Sequence, residues 1–296
     1  SQRVGTGLYN EINSNYTLCN DIDMGGFDFQ PIGVKNTLIN PRDGRNPNHC
    51  GFNGSFDGGN HKISNLKCEV TTAEESMGEG VGFFGILDAD AHITSLELNN
   101  ADISNRGKIC AGGTGILAGI SYGGKIENCA VSGTVTGLRQ VGGFIGSTSC
   151  GLRLNEEELR GSIKNCSAKA QVTAKEYSGV FIGENNSCII ESCGASGSIT
   201  GEKLMGDDES CGVLGGFAGR NIAAEIIDSR CECFINTKAA GRCIGSFVGR
   251  NEGNIKNSVY RLDMSLWKPA GDTPRDDLIS DIRGLSKEEY YKSAKK

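Results

Sequence analysis

KIENCAVSGTV, from Lys125 to Val135, sets the fold of this chain, because its pattern returns along most of the sequence. An apolar residue is followed two places on by Asn, Ser or Asp, and then by small or apolar residues at alternate positions. The phrase is read again from Ile63 (ISNLKCEV), Ile93 (ITSLELNN), Ile163 (IKNCSAKAQV), Ile190 (IESCGASGSI), Ile226 (IDSRCECFI) and Ile255 (IKNSVYRLDM). With Ile126 included, the steps are 30, 33, 37, 27, 36 and 29 residues. A recurrence of this length is the mark of stacked repeats. From the third position onward the alternation has period two, so one face of a strand is buried. The change of parity before it requires a bend. Asn, Ser and Asp suit that bend, since Asn and Asp tolerate left-handed backbone and all three can bond nearby main chain.

Each repeat carries a second phrase, short, apolar and bounded by glycine: GVGFFG to Gly85, TGILAG to Gly119, VGGFIG to Gly146, SGVFIG to Gly183, LGGFAG to Gly219 and IGSFVG to Gly249. Aligned on the last glycine, one column reads Phe83, Leu117, Phe144, Phe181, Phe217, Phe247. The next reads Phe84, Ala118, Ile145, Ile182, Ala218, Val248. Apolar runs this short, without a 3.6-residue period, read as buried strands. Neither strand can bury its apolar face alone, so neighbouring repeats must stack. The sequence therefore predicts an all-β, right-handed parallel β-helix of about seven coils, right-handed because parallel crossovers are. A propeller is excluded, since a blade needs four antiparallel strands in about 40 residues. The expected divisions are 1–62 as an irregular N-terminal lead-in or cap, 63–267 as the solenoid, and 268–296 as a C-terminal cap or linker. Ser286 to Glu289 (SKEE) is a capping box that opens a short helix.

The 44 glycines among 296 residues are about twice the usual ~7% share, without the strict period of collagen. A net charge of −6 argues against nucleic acid and anionic membranes, which call for basic patches. No apolar run approaches the ~20 residues of a membrane span. The chain opens at Ser1 in polar sequence, as a mature fragment does, and reads as part of a larger polypeptide.

YTLCNDIDM, FQPIG, FNGSFDGGNHKISNL, VGFFG, VGGFIG and GKIENCAVSGTV together resemble the GLUG repeats of bacterial secreted and surface proteins, including the N-terminal regions of immunoglobulin-A metallopeptidases. The resemblance runs from about Tyr16 to Leu285. It implies a β-helical module of an exported, extracellular bacterial surface protein, and no reaction. Extra cysteines and the insertions at 147–161 and 200–211 depart from the pattern. The function read from this is a non-enzymatic, adhesin-like display module that binds a host or matrix protein or a glycan. Two alternatives stand beside it. One is a carbohydrate-active enzyme or the recognition domain of a surface peptidase; the other is a fibre subunit.

Candidate chemistry is sparse. Asp21 with Asp23, Asp88 with Asp90, and Asp207, Asp208 and Glu209 could act as carboxylate pairs, but no acidic ladder runs along an outward strand face as a glycosidase needs. Oxygen-rich DIDMGGFD and GDDES could take Ca2+, though neither is an EF-hand loop. The longer loops fall on one edge and carry Glu74, Glu75, Glu79, Asp207, Asp208 and Glu209, which marks that edge as the binding face. NEEELR, in the insertion 147–161, is read as a helical turn. Cys68, Cys129, Cys166, Cys193, Cys231 and Cys233 fall on inward columns and read as small core filler. Cys150 with Cys188, and Cys211 with Cys243, are placed one coil apart and are candidate disulfides. The count of thirteen is odd, so at least one thiol stays free or pairs between chains.

Overall fold

The computed structural model describes residues 12–33, 51–70, 80–107, 112–152, 158–202, 212–237, 243–273 and 282–294. The chain is mostly β, and strands of successive repeats pair in parallel, as a parallel β-solenoid requires. They form three sheets. The first holds the leading-Ile strands, such as Lys125–Glu127, and the strands that follow the second phrase, such as Ile145–Ser149. In Ala218–Ile227 and Val248–Lys256 these two parts are one continuous strand. The second sheet holds the alternating strands, such as Ser167–Ala174. The third is narrow: Arg139–Gly142, Glu176–Gly179, Leu214–Gly215 and Ile244–Gly245.

The bend between the first two sheets has the cause read from its sequence. Ser95, Asn128, Asn165, Ser192, Asp228 and Asn257 all have φ between 48° and 55°. In this left-handed region Asn and Asp are strained least. Beyond the bend Val131, Ala168, Ala195 and Cys231 pair in one buried column.

The first repeat is out of the register read from its sequence. Phe56, not Ile63, pairs with Ile93 on the first sheet, while Ile63 pairs with Leu98 on the second. Asn65 aligns with Asn100, not Ser95, and the two amides bond at 2.7 Å. Both have positive φ, so two different bends carry the same Asn signature. Asn100 is accordingly not an inward residue. It is the extra residue of a bulge opposite Ser132, and Ala101 takes the inward place beside Gly133. A bulge shifts parity by one, which a count along the chain cannot see. The stack also reaches into the stretch read as irregular: Tyr16 pairs with Phe56 and Ile22 with Ile63.

The core is a set of columns. Phe144, Phe181, Phe217 and Phe247 are buried and stacked, with centroids 4.8, 4.8 and 5.0 Å apart and planes within 11°. That spacing is the strand spacing of ~4.8 Å, so register alone puts ring on ring. Glycine after the apolar phrase lets two sheets close: a Cβ on Gly183 would lie 2.5 Å from the Gln140 carbonyl carbon and the Val141 nitrogen.

The capping box at Ser286 forms and opens helix α1 (Lys287–Ser293). Helix α1 lies on the outer face of the second sheet: Tyr290 is buried with Arg230 stacked on its ring at 4.2 Å, and the Tyr291 hydroxyl donates to Glu232 at 2.5 Å. Val259, beside Arg230, is buried there too. NEEELR is not a helical turn at its described end, since Glu158–Leu159 pairs antiparallel with Gly151–Leu152.

Candidate functional site

The richest arrangement of side chains on the described surface lies where the third sheet of one repeat meets the first sheet of the next. The residue after each terminal glycine points outward here. Register aligns Ser147, Glu184, Arg220, Arg250 and Asp272 in one column. Two arginines stand side by side in it, flanked by Glu184 and Asp272, and Glu252 ion-pairs with both, which offsets the repulsion of like charges one strand apart. Arg220 is 3.6 Å from Glu184 and 2.8 Å from Glu252, while Arg250 is 2.9 Å from Glu252 and 3.8 Å from Asp272. The Gln140 amide donates to Glu184 at 3.0 Å. Burial alone would lower the Arg220 guanidinium, but its hydrogen bond to Glu252 and the charges of Glu252 and Glu184 outweigh that and hold it above its ordinary value. In return, the hydrogen bond from Arg220, despite burial, holds Glu252 below the usual carboxylate range.

Beside this column stands Tyr177. Arg139 lies 4.9 Å from the ring centroid and Arg220 5.7 Å, within cation–π range. Tyr177 has φ 47°, and Gln140, its neighbour in the preceding repeat, φ 52°. Left-handed backbone is costly for a bulky aromatic residue and persists only where the surroundings enforce it. The corner is thus a half-buried phenol set among guanidinium, carboxylate and amide groups, suited to a partner with both flat and polar surface. It is legible in principle, once the residue after each last glycine is tabulated as a column in its own right.

Next to that column lies an inward polar one that the repeat phrases do not announce. Thr148 donates to Asn185 at 2.9 Å, Asn185 to Asn221 at 3.0 Å, and Asn221 to Asn251 at 2.8 Å. All four are buried. Each amide satisfies the next, which makes their burial tolerable.

The binding residues expected on the loop edge, Glu74, Glu75, Glu79, Asp207, Asp208 and Glu209, lie outside the described residues, as do Cys50, Cys110 and Cys211. Cys150 and Cys188 are not joined. Cys188 is buried with its thiol toward the Ile189 carbonyl, its pKa pushed up to about 12 by burial. Cys243 lies 4.0 Å from Asp272. Cys68, Cys129, Cys166, Cys193, Cys231 and Cys233 are buried free thiols. Three of them do more than fill space. Cys129, Cys166 and Cys193 each donate to the carbonyl two residues back at 3.2 Å. Cys166 and Cys193 each also accept the backbone N–H of the cysteine one repeat earlier at 3.4 Å. Ser229 and Ser258 play both parts with hydroxyls.

The acidic turn at Asp21 and Asp23 is occupied by the protein's own donors. Asp21 takes the Lys62 N–H and His61, and Asp23 takes Asn65 and the Gly25 N–H. These bonds hold both carboxyls low. Among the described residues, no three His, Cys, Asp or Glu side chains are grouped to hold a metal ion, and no helix is long and apolar enough to cross a membrane.

No known family profile matches the chain. It is 33% identical over 153 residues to halomucin of Haloquadratum walsbyi, covering 49% of this chain and 1% of halomucin, so it spans a very small part of that protein. Two solved structures share its fold. One is a candidate immunoglobulin A1 protease from Bacteroides ovatus, with TM-score 0.67, 23% identity, and 93% of this chain on 79% of that one. The other is described as IgA1 Protease, with TM-score 0.57, 19% identity, and 94% of this chain on 21% of that one.

Proposed function

We propose that this chain is a binding and display module of an exported surface protein: a right-handed rod of seven coils that presents one edge to a host or matrix protein or a glycan. The observation that carries the reading is the corner at Arg139, Tyr177 and Arg220, where a strained aromatic residue is held among charged groups along the stack. The described residue that follows one acidic loop lies at the same edge. Gly212, directly after the loop bearing Asp207, Asp208 and Glu209, donates to the Lys175 carbonyl, two residues before Tyr177. The proposed binding edge joins that corner to the loops bearing Glu74, Glu75, Glu79, Asp207, Asp208 and Glu209. Likeness to halomucin over half the chain supports an extracellular setting.

The test is binding of the isolated module to arrays of mucin-type glycans and matrix proteins. Tyr177→Ala with Arg139→Ala, or replacement of 202–209 by a short Gly-Ser turn, should weaken capture while leaving the melting temperature nearly unchanged. Capture that survives both changes, together with trimming of 72–79, places the binding surface elsewhere. A second reading, the recognition module of a peptidase polypeptide, is favoured by the fold shared with the two immunoglobulin A1 protease chains. Co-precipitation of immunoglobulin A1, lost in the same variants, would select it.

A further inference from the structure

The structure assigns a ligand class to the proposed edge: an acidic polysaccharide, lying along the stack with its anionic groups on Arg106, Arg139 and Lys175. The assignment rests on the reading of that edge as the binding surface. At the bend between the second and third sheets, three successive repeats each place a cation. Arg106 follows Ser104 by two residues, Arg139 follows Thr136 by three and Lys175 follows Thr173 by two, while Ser104, Thr136 and Thr173 are paired in register. Backbone bonds fix this bend. The N–H groups of Lys175 and Glu176 both donate to the Leu138 carbonyl, at 3.2 and 2.9 Å, and Arg139 pairs with Glu176. Neighbouring strands lie ~4.8 Å apart, so the cations recur at about that step along the stack. Glu202 takes the corresponding place in the next repeat and ends the row.

The protein itself leaves these cations largely unused. Arg106 and Arg139 are exposed and Lys175 is half-buried. Arg139 is 3.7 Å from Glu176, beyond hydrogen-bond reach, and among the described residues no acceptor takes its N–H groups. Stacking on Tyr177 holds the guanidinium in place and leaves its planar fork of donors for an anion. Arg106 donates only to Ser104, at 3.3 Å, and Lys175 has no ion-pair partner among the described residues. Arg220, by contrast, is engaged by Glu184 and Glu252 and belongs to the scaffold. Beside the cations runs a ladder of outward hydroxyls: Ser104, Thr136, Thr173 and Thr200 in register, continued by Asn236. Hydroxyls both donate and accept, as those of a sugar do. A polysaccharide extended along the stack brings successive sugars to successive repeats. An acidic peptide strand fits less well, since its same-face carboxylates recur every second residue, roughly 6.8 Å apart.

Dissociation constants on surfaces coated with alginate, dextran sulfate, neutral dextran or poly-glutamate test this. At least one of the two acidic polysaccharides should bind about tenfold or more tightly than neutral dextran. Alginate carries carboxylates and dextran sulfate carries sulfates, so the pair tells which anion the row takes. Arg106→Gln with Arg139→Gln should weaken that binding by about tenfold or more, with an unchanged circular dichroism spectrum. Arg106→Gln alone, at an exposed side chain, should give part of the loss and keeps the test open if the double variant does not fold. Lys125→Gln with Lys256→Gln removes the same charge from the outer face of the first sheet and should leave binding within about twofold. Binding to neither acidic polysaccharide overturns the inference. Equal losses in the two double variants do so as well, since the attraction is then to net charge, and so does tighter binding to poly-glutamate, which assigns the row to an acidic protein. Tyr177→Ala reports on the edge separately: a neutral ligand whose capture requires Tyr177 keeps the edge and rejects the acidic class.

Discussion

The two halves of the stack fill the same inward columns by different means. Toward the N-terminus the column after the second phrase begins with Leu87, passes through Ser121 and Thr148, and ends as Asn185, Asn221 and Asn251. At the bend the column runs from Leu96 through three cysteines to Ser229 and Ser258. Aromatic packing changes in parallel. Phe83 and Phe84 meet Phe56 and each other edge to face at 81° to 84°, whereas the four later rings stack nearly flat. Apolar contact is non-directional, so the N-terminal half tolerates tilted rings and mixed residues. The C-terminal half is built of ladders, in which each copy satisfies the next, and ladders demand identity and register. The lesson is that one backbone repeat accepts either an oily or a hydrogen-bonded interior, but the second is more sensitive to single changes.

What both halves share is parity, and breaking it has the largest effect. Ala101 and Ala195 face inward, while Asp102 and Ser196 face out. Ala101→Lys and Ala195→Lys each bury an unpaired charge, and each should cost more than about 4 kcal/mol and abolish cooperative melting. Asp102→Lys and Ser196→Lys should change stability by about 0.5 kcal/mol or less. Thermal melts of the four variants decide it; equal losses on the two faces would contradict the shared parity.

The asparagine ladder separates the halves. Asn221→Leu removes the acceptor of Asn185 and a donor to Asn251, at a cost of about 2–4 kcal/mol in denaturant titration. Replacing Asn185, Asn221 and Asn251 together by Leu should cost less than the sum of the three single changes, since it removes partners along with the groups they served. The column would then resemble the one that begins at Leu87. Strict additivity would show that the amides act independently rather than as a ladder.

Much of this difference is legible in the amino-acid sequence. The Asn column at the bend, the two apolar columns of the glycine-bounded phrase and the capping box at Ser286 all follow from local chemistry, because each depends on residues a few places apart. Features that depend on counting across repeats are hidden from a local reading. The bulge at Asn100 and the longer bend at Gly58–His61 insert residues without altering the local phrase, so Ile63 imitates Ile93 while pairing with Leu98. The charged corner is hidden for another reason. Ser147, Glu184 and Arg220 share no chemical type, and only their alignment in register, with Glu252 contacting both Arg220 and Arg250, makes them a feature. The expected Cys150–Cys188 pairing does not form: Cys150 follows its glycine, Gly146, by four residues and Cys188 follows Gly183 by five, and Cys188 turns inward while Cys150 stays partly exposed.

The thiol ladder gives a smaller and sharper test. Cys166→Ser should stay within about 1 kcal/mol of the parent, since Ser229 and Ser258 already serve in that column. Cys166→Ala leaves the Cys129 N–H without an acceptor and should cost about 1–3 kcal/mol. Burial raises the Cys166 pKa despite the nearby donors, so alkylating reagents should label it only after denaturation. Labelling of the native protein at Cys166 would contradict its place in the core.

The smallest effect lies on the surface of the C-terminal half, at the charged corner. Glu252 is held below the ordinary carboxylate range, chiefly by its hydrogen bond from Arg220 and also by the charge of Arg250. Its folded-state pKa is depressed, so its contribution is present at neutral pH, above the unfolded value of 4.5, and is lost as pH falls through the lowered folded value. The pair is partly exposed, so the contribution should be about 1 kcal/mol or less at neutral pH. Glu252→Gln should therefore cost that much at pH 7 and progressively less below pH ~4.5, until parent and variant melt together in acid. The N-terminal counterpart of this column holds Ile86 and Ile120, which do not titrate. If the gap between parent and Glu252→Gln does not narrow in acid, Glu252 stabilises through packing rather than through charge.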